Sequence, residues 1–187
     1  MSSSSTPMID PVCALLIVSC AMLLFGAAAA HKLRAVGDFA QTLARYRLLP
    51  AGFIRIAGPA LGLMELVICL GLPWPALRPL GATAGVILLL VYSAAITINL
   101  ARGRHDLDCG CGGFGRRTPI GPWMVVRNLS LACILCLLMF PEASRSLESA
   151  DTVTLVGGVV AASFLYLSCD VLFGQASARG VGSMGRS

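Results

Sequence analysis

Five stretches of this sequence are apolar enough and long enough to cross a lipid bilayer as α-helices. A bilayer core about 30 Å thick needs roughly 20 apolar residues in a helix. Inside lipid, a chain that does not close into a barrel satisfies its backbone hydrogen bonds only as helix. The sequence therefore predicts an all-α integral membrane protein, a bundle of about five transmembrane helices. The predicted spans are residues 11–30, 56–77, 80–100, 120–140 and 153–170.

The composition agrees with a membrane protein and excludes an ordinary soluble domain. Hydrophobic residues make up 57% of the chain and charged residues 12%, about half the charged fraction of a typical soluble protein. The longest polar connections, about residues 32–55 and 102–119, are too short to bury a core of their own. We therefore expect one transmembrane domain over residues 11–173. Disordered segments are expected at 1–10 and 174–187, and no nucleic-acid partner is expected.

The basic residues are distributed unequally between the connections, which predicts an orientation. With five spans, the positive-inside rule places the N-terminus outside and the third connection at the cytoplasmic face. Only Arg78 and Arg145 fall on the opposite side. The basic residues of the first connection, the third connection and the tail are Lys32, Arg34, Arg45, Arg47, Arg55, Arg102, Arg104, Arg116, Arg117, Arg179 and Arg186.

The third connection contains the densest group of reactive residues, Asp108-Cys109-Gly110-Cys111 followed by Gly112-Gly113-Phe114-Gly115. One residue separates the two cysteines, so their Cα atoms can come within bridging range, although the small ring is expected to be strained. A strained disulfide is readily reduced and is a good oxidant of other thiols. Nearby arginines such as Arg102 favour the thiolate, whereas Asp108 opposes it or acts as a proton shuttle. Cys109 and Cys111 are therefore the predicted catalytic pair of a thiol/disulfide site.

Two other interpretations of this loop remain open. The cysteines can form a purely structural disulfide, or they can contribute to a metal site. Zinc usually takes four ligands, and His105 with Cys109 and Cys111 supplies three at irregular spacing, so no metal is predicted. Cys133 and Cys136 lie three residues apart on one face of the fourth span and form a possible second dithiol, although a cysteine in mid-membrane usually packs as a small apolar residue.

Ionisable and polar residues within the spans are candidates to support such a site, because they are costly in lipid. Glu65 lies near the middle of the second span and needs a partner, for which His31, Lys32 and Arg127 are the candidates. Arg127 and Asn128, near the start of the fourth span, can line a polar pocket or reach the interface. The alternative role for Glu65 is a polar clamp that orders the bundle.

Several of these positions resemble the methylamine utilisation protein MauE family, which belongs with the MauE/DoxX-like redox-associated membrane proteins. The resemblance covers about residues 10–170 and depends chiefly on the Cys-Gly-Cys loop with its upstream Arg-Gly. One departure is that two glycines precede Phe114. The matching features are His31-Lys32, the amphipathic stretch 39–46, Glu65, Arg102-Gly103, Asp108-Cys109-Gly110-Cys111 and Arg127-Asn128.

The resemblance implies a role in processing, transport or disulfide formation of the small (beta) subunit of methylamine dehydrogenase. It implies that the protein lies in the bacterial inner membrane and that a thioredoxin-like, MauD-like protein is its partner. The alternatives are a non-catalytic scaffold or export factor with a structural cysteine loop, and a quinone-linked thiol oxidoreductase. Only the latter would need a quinone cofactor, and the sequence contains no recognisable quinone motif.

Overall fold

The computed structural model describes residues 8–105, 107 and 119–184, with only the backbone for 174–184. This part of the chain folds into six α-helices, five of which are long and apolar enough to cross a membrane. The predicted all-α, five-span fold is confirmed. The helices are α1 (Pro11–Arg34), α2 (Val36–Tyr46), α3 (Ala51–Gly71), α4 (Arg78–Ala101), α5 (Pro122–Cys136) and α6 (Ser149–Met184).

Prolines fix several helix ends that hydropathy alone does not locate. The second span is α3, which begins directly after Pro50 and stops two residues before Pro73, whereas hydropathy placed this span at residues 56–77. Proline lacks the amide proton that a helix interior requires and clashes with the preceding turn. At helix starts proline is well tolerated, which explains Pro11 and Pro122 as the first residues of α1 and α5.

The last helix also differs from the expectation for the tail. We predicted a disordered segment from residue 174, whereas α6 continues to Met184. Alanines and an arginine between residues 175 and 184 are good helix formers. Adding a residue to an existing helix is far easier than starting a new one, so a helix already formed over residues 149–173 can continue into a Gly/Ser-containing segment.

The core of the bundle is formed by α1, α3, α4 and α5, with α6 on the outside. Helix α1 packs on α3, and α4 packs on α5. Gly85 of α4 lets Phe25 of α1 approach closely, since a Cβ there would lie 3.2 Å from the Phe25 ring. Close packing of small residues is the main attraction between helices in lipid. The span of α6, residues 149–173, contains no buried residue.

Helix α2 is an amphipathic connection between the first two spans. It follows α1 after a single residue, Ala35, and packs against α3. Its apolar face buries Phe39 and Tyr46. The helix ends at Tyr46, and the following residue, Arg47, adopts a left-handed backbone with φ of 50°. Helix α2 thus closes the side of the bundle near the C-terminal end of α1.

The opposite end of the bundle is held together by charged side chains and a short backbone bridge. The amide of Ile9 donates to the carbonyl of Pro141 at 3.0 Å. Arg78, buried at the start of α4, pairs with Glu142 and donates to the carbonyl of Leu72. Arg145 donates to both Asp10 and Asp151, so it links the start of α1 to the start of α6.

Because of this exposed Arg145 network, the stability of the fold should decrease at acidic pH. The hydrogen bond from Arg145, supported by the Val12 amide, lowers the pKa of Asp10 below its ordinary value of 3.8. A carboxylate with a lowered folded pKa stabilises the fold above the unfolded value, and this contribution disappears as the pH falls through the folded value. We expect the melting temperature of the wild type to fall more between pH 6 and pH 3 than that of Asp10→Asn. Asparagine can still cap the helix, and equal falls would show that the Asp10 carboxylate contributes nothing to this pH dependence.

Candidate functional site

A buried ion pair joins α1 to α3 within the membrane-spanning part of the bundle. The Nζ atom of Lys32 lies 2.5 Å from Oε1 of Glu65, and both side chains are only 1% exposed. The same oxygen accepts a 2.8 Å hydrogen bond from the hydroxyl of Tyr92 on α4. Within the described residues, Oε2 of Glu65 has no hydrogen-bond partner. Three helices therefore meet at one carboxylate, which we call the Lys32–Glu65 site.

Aromatic rings surround the ammonium group of Lys32. Its Nζ lies 5.2 Å from the ring centroid of Phe39 and 5.1 Å from that of Tyr92. The negative ring faces attract a cation by about 0.5–2 kcal/mol, which adds to the attraction of the carboxylate. Lys32 is thus the partner of Glu65 among the three candidates. His31 is half-buried, and its imidazole forms no hydrogen bond or ion pair in the described part of the chain.

Tyr92 and Phe39 are members of this site that the sequence analysis did not identify. The position of Tyr92 could have indicated a special role. Tyrosine is usually found at the membrane interface, whereas this residue lies well inside α4. Phe39 gave no comparable signal, because an aromatic residue on an amphipathic helix is ordinarily a packing residue.

Arg127 forms a second ion pair, which does not involve Glu65. Its guanidinium lies 2.5 Å from Asp170 of α6 and 5.6 Å from the ring centroid of Tyr166. This pair connects α5 to α6. Asn128 is buried, and its Nδ2 atom has no hydrogen-bond partner among the described residues. Arg127 and Glu65 therefore bind different partners.

The predicted catalytic pair, Cys109 and Cys111, lies outside the described residues, as does Asp108. The structure does describe both flanks of this segment. The amide of Ile120 donates to the carbonyl of Leu107 at 2.8 Å. Leu107 and Ile120 are 3% and 2% exposed, and they pack with Tyr46 of α2 in one apolar cluster. The two residues that flank the cysteine segment, Leu107 and Ile120, thus lie together in one buried apolar cluster.

Two arginines, Arg102 and Arg104, lie just before this segment. Arg102 is exposed at the end of α4, and Gly103 follows with a φ of 72°. This left-handed conformation ends helices and suits glycine, which gives the Arg-Gly pair a structural reason. Arg104 donates to Oδ1 of Asn99 at 3.1 Å and to the carbonyl of Arg45 at 2.7 Å. Arg104 therefore links the end of α4 to the end of α2. From the sequence, Arg104 was identified only as one of the basic residues that predict the orientation.

The possible second dithiol lies on α5, at the other end of that helix from Arg127. Cys133 is exposed toward the lipid side and Cys136 is partly exposed, and both thiols are free. The buried face of α5 is formed by other residues, among them Ala132 and Leu135. Among the described residues, these two cysteines do not belong to any group of three or more His, Cys, Asp or Glu side chains that could hold a metal ion.

Comparisons with known proteins identify the family. The family model described as "Methylamine utilisation protein MauE" matches residues 10–141. The MauE protein of Paracoccus denitrificans is 36% identical over 160 residues, which cover 84% of this chain and 85% of that protein. The MauE protein of Methylophilus methylotrophus is 32% identical over 169 residues, or 88% of each chain.

A third relative, the MauE protein of Paracoccus versutus, is 35% identical over 145 residues, which cover 77% of this chain and 76% of that protein. No solved structure matches the chain significantly. The family model covers α1 to α5 and therefore includes the Lys32–Glu65 site. On these matches, this multi-pass membrane protein belongs to the methylamine utilisation protein MauE family.

Proposed function

We propose that this protein is an accessory factor in the maturation of the small (beta) subunit of methylamine dehydrogenase. It acts in the bacterial inner membrane by thiol/disulfide exchange between Cys109/Cys111 and a thioredoxin-like, MauD-like protein. The observation that carries the proposal is the presence of the Cys-Gly-Cys pair in a chain of the MauE family. Membership of that family supports a role in methylamine utilisation, and the pair of cysteines supplies the chemistry.

The exchange is a two-electron step. A thiolate of the partner attacks one sulfur of the Cys109–Cys111 disulfide, and the other sulfur leaves as a thiolate. The second thiol of the partner then attacks the mixed disulfide. The partner becomes oxidised to a disulfide, while Cys109 and Cys111 receive two electrons and, from solvent, two protons. The strain expected in a ring closed by a single intervening residue drives the exchange in this direction.

The described flanks of the cysteine segment support this role. Leu107 precedes Cys109 by two residues, and two residues of extended chain reach about 7 Å. Leu107 is buried beside Tyr46 at the arginine-rich end of the bundle. A site tied to the end of the bundle is open to a water-soluble partner, which a site in mid-membrane is not.

Serine substitutions test the proposal. We expect Cys109→Ser and Cys111→Ser each to leave the small subunit without its disulfides, because each variant lacks one sulfur of the exchanging pair. The disulfides can be followed by non-reducing electrophoresis of the small subunit. The matched control is the double variant Cys133→Ser/Cys136→Ser, which should mature the subunit normally. Normal maturation in both single variants would refute the exchange and favour a scaffold with a structural loop.

The side of the membrane can be determined separately. A membrane-impermeant maleimide added to intact cells should label Cys109 and Cys111 only after reduction if they form a disulfide facing the periplasm. The positive-inside rule predicts the cytoplasmic face instead, in which case labelling requires a permeabilised membrane. In the second case direct exchange with a periplasmic partner is excluded, and electrons would have to cross the bilayer.

A further inference from the structure

A cavity of about 400 Å³ lies between α2, α3 and α4, beside the Lys32–Glu65 site. Its volume falls within the range of about 300–1,000 Å³ that is typical of small-molecule sites. Met64 and Val91 line it and are about half exposed. In a membrane these two residues face lipid, so the cavity can be entered from the bilayer. Its inner wall includes the buried side chains of Tyr46 and Ile96.

Lys32 provides a buried, charged hydrogen-bond donor in a wall whose other polar side chains are the hydroxyl-bearing Thr42, Tyr46 and Tyr92. The side chain lines the cavity and is 1% exposed. An ammonium group has three N–H donors, and within the described structure Lys32 uses one of them, toward Glu65. A buried donor without an acceptor costs free energy. The cavity therefore favours a ligand that brings an acceptor to Nζ of Lys32.

The charge of the site determines what kind of acceptor fits. Glu65 already neutralises Lys32 at 2.5 Å, so a phosphate or carboxylate headgroup would bring an uncompensated negative charge into a buried site, which is costly. A neutral carbonyl oxygen accepts the hydrogen bond without that cost. A simple acyl chain would fill the volume but leave the donors unpaired.

The shape of the walls favours a flat ring. Phe39, Tyr46 and Tyr92 all line the cavity, and aromatic rings prefer to pack against other planar π-systems. We propose that this cavity binds the ring of a membrane-soluble quinone, with a quinone carbonyl accepting a hydrogen bond from Lys32 and the apolar tail leaving past Met64 and Val91. The inference rests on described residues alone and does not depend on the exchange at the cysteines.

A substitution that fills the cavity tests the proposal. The full chain in lipid nanodiscs is titrated with a decyl-substituted benzoquinone, and binding is read by competition against a photoreactive azidoquinone that cross-links to the protein. Ala95→Phe places a ring in the cavity, whereas Ala94→Phe places the same ring on the exposed face of α4 outside it. We expect at least tenfold weaker binding in Ala95→Phe and unchanged binding in Ala94→Phe. Equal binding by the two variants would overturn the proposal.

A second variant tests the hydrogen-bond donor. Lys32→Met/Glu65→Met removes both charges and keeps an apolar filling, a change that folded proteins often tolerate. We expect this variant to bind the quinone about tenfold more weakly than the wild type, and unchanged affinity would refute the role of Lys32. Mass spectrometry of the purified protein identifies a lipid occupant. A phospholipid retained by the wild type and by Ala94→Phe, lost in Ala95→Phe and not displaced by the quinone would also refute the proposal.

Discussion

Replacing Lys32 alone by methionine should remove most of the folded protein, and replacing Lys32 and Glu65 together should restore it. The single change leaves Glu65 with 1% exposure and no cation, retaining only the hydrogen bond from Tyr92 among its described contacts. Breaking a buried pair by removing one partner typically costs about 3–5 kcal/mol. Removing both charges at once takes away the attraction and the desolvation cost together, so the double variant should approach wild-type stability.

Thermal unfolding in detergent and the amount of monodisperse protein in size-exclusion chromatography measure these effects. Arg34→Met is the matched control, because Arg34 ends the same helix but is exposed and has no described ion pair. We expect the control to unfold near the wild-type temperature. If Lys32→Met were as stable as Arg34→Met, the ion pair would not hold α1 against α3.

Gly62→Leu should strongly destabilise the fold. Among substitutions that add atoms at the α1–α3 contact, we expect it to have the largest effect. A Cβ at this position would lie 2.9 Å from Cδ2 of Leu33 and 3.4 Å from Cβ of Lys32. The two helices approach here because glycine has no side chain, as in other helix contacts inside membranes. Gly62 is three residues before Glu65, on the same helix face, so pushing α1 outward also stretches the ion pair.

Overpacking of this kind costs about 1–3 kcal/mol, to which the weakened ion pair adds. Gly52→Leu is the matched control, because a side chain at Gly52 of the same helix would meet nothing within 4 Å. Leucine favours a helix interior over glycine by about 1 kcal/mol, and Gly62 is interior whereas Gly52 lies in the first turn. Gly62→Leu therefore gains at least as much helix propensity as the control, so a lower melting temperature of Gly62→Leu reports the contact. Equal melting temperatures would show that α1 and α3 can separate at Gly62 without loss.

The five spans could be predicted from the sequence because lipid imposes both a length and a composition on any helix that crosses it. The ends of α3 were less predictable. A hydropathy window averages over Pro50 and Pro73, whereas each of these prolines marks a boundary of the helix or of the turn beside it. Glu65 was identified for the same reason as the spans, since a lone acid in an apolar stretch is costly.

The sequence limited the partner of Glu65 to three candidates, but it did not indicate which of them forms the ion pair. The choice depends on how α1 is rotated relative to α3, and the close approach at Gly62 helps to determine that rotation. Sequence spacing contains no information on such a contact between distant segments. Tyr92 was missed for the same reason, because its hydroxyl reaches Glu65 only when α4 lies beside α3. The cavity lined by aromatic residues could not be predicted either, because it forms only where α2, α3 and α4 lie side by side.

The external position of α6 has a consequence for the connectivity of the chain across the bilayer. The four helices of the core cross the membrane an even number of times, so the chain returns after α5 to the side on which it started, where Ile9 meets Pro141. The family model ends at residue 141, at this return point. Helix α6 adds one further crossing without contributing a buried residue to its span. A reporter protein fused after α6 should therefore lie in the opposite compartment from one fused before α1. Deleting α6 should bring both reporters to the same compartment, and combining the deletion with Arg127→Met removes the arginine that would otherwise lose its partner Asp170.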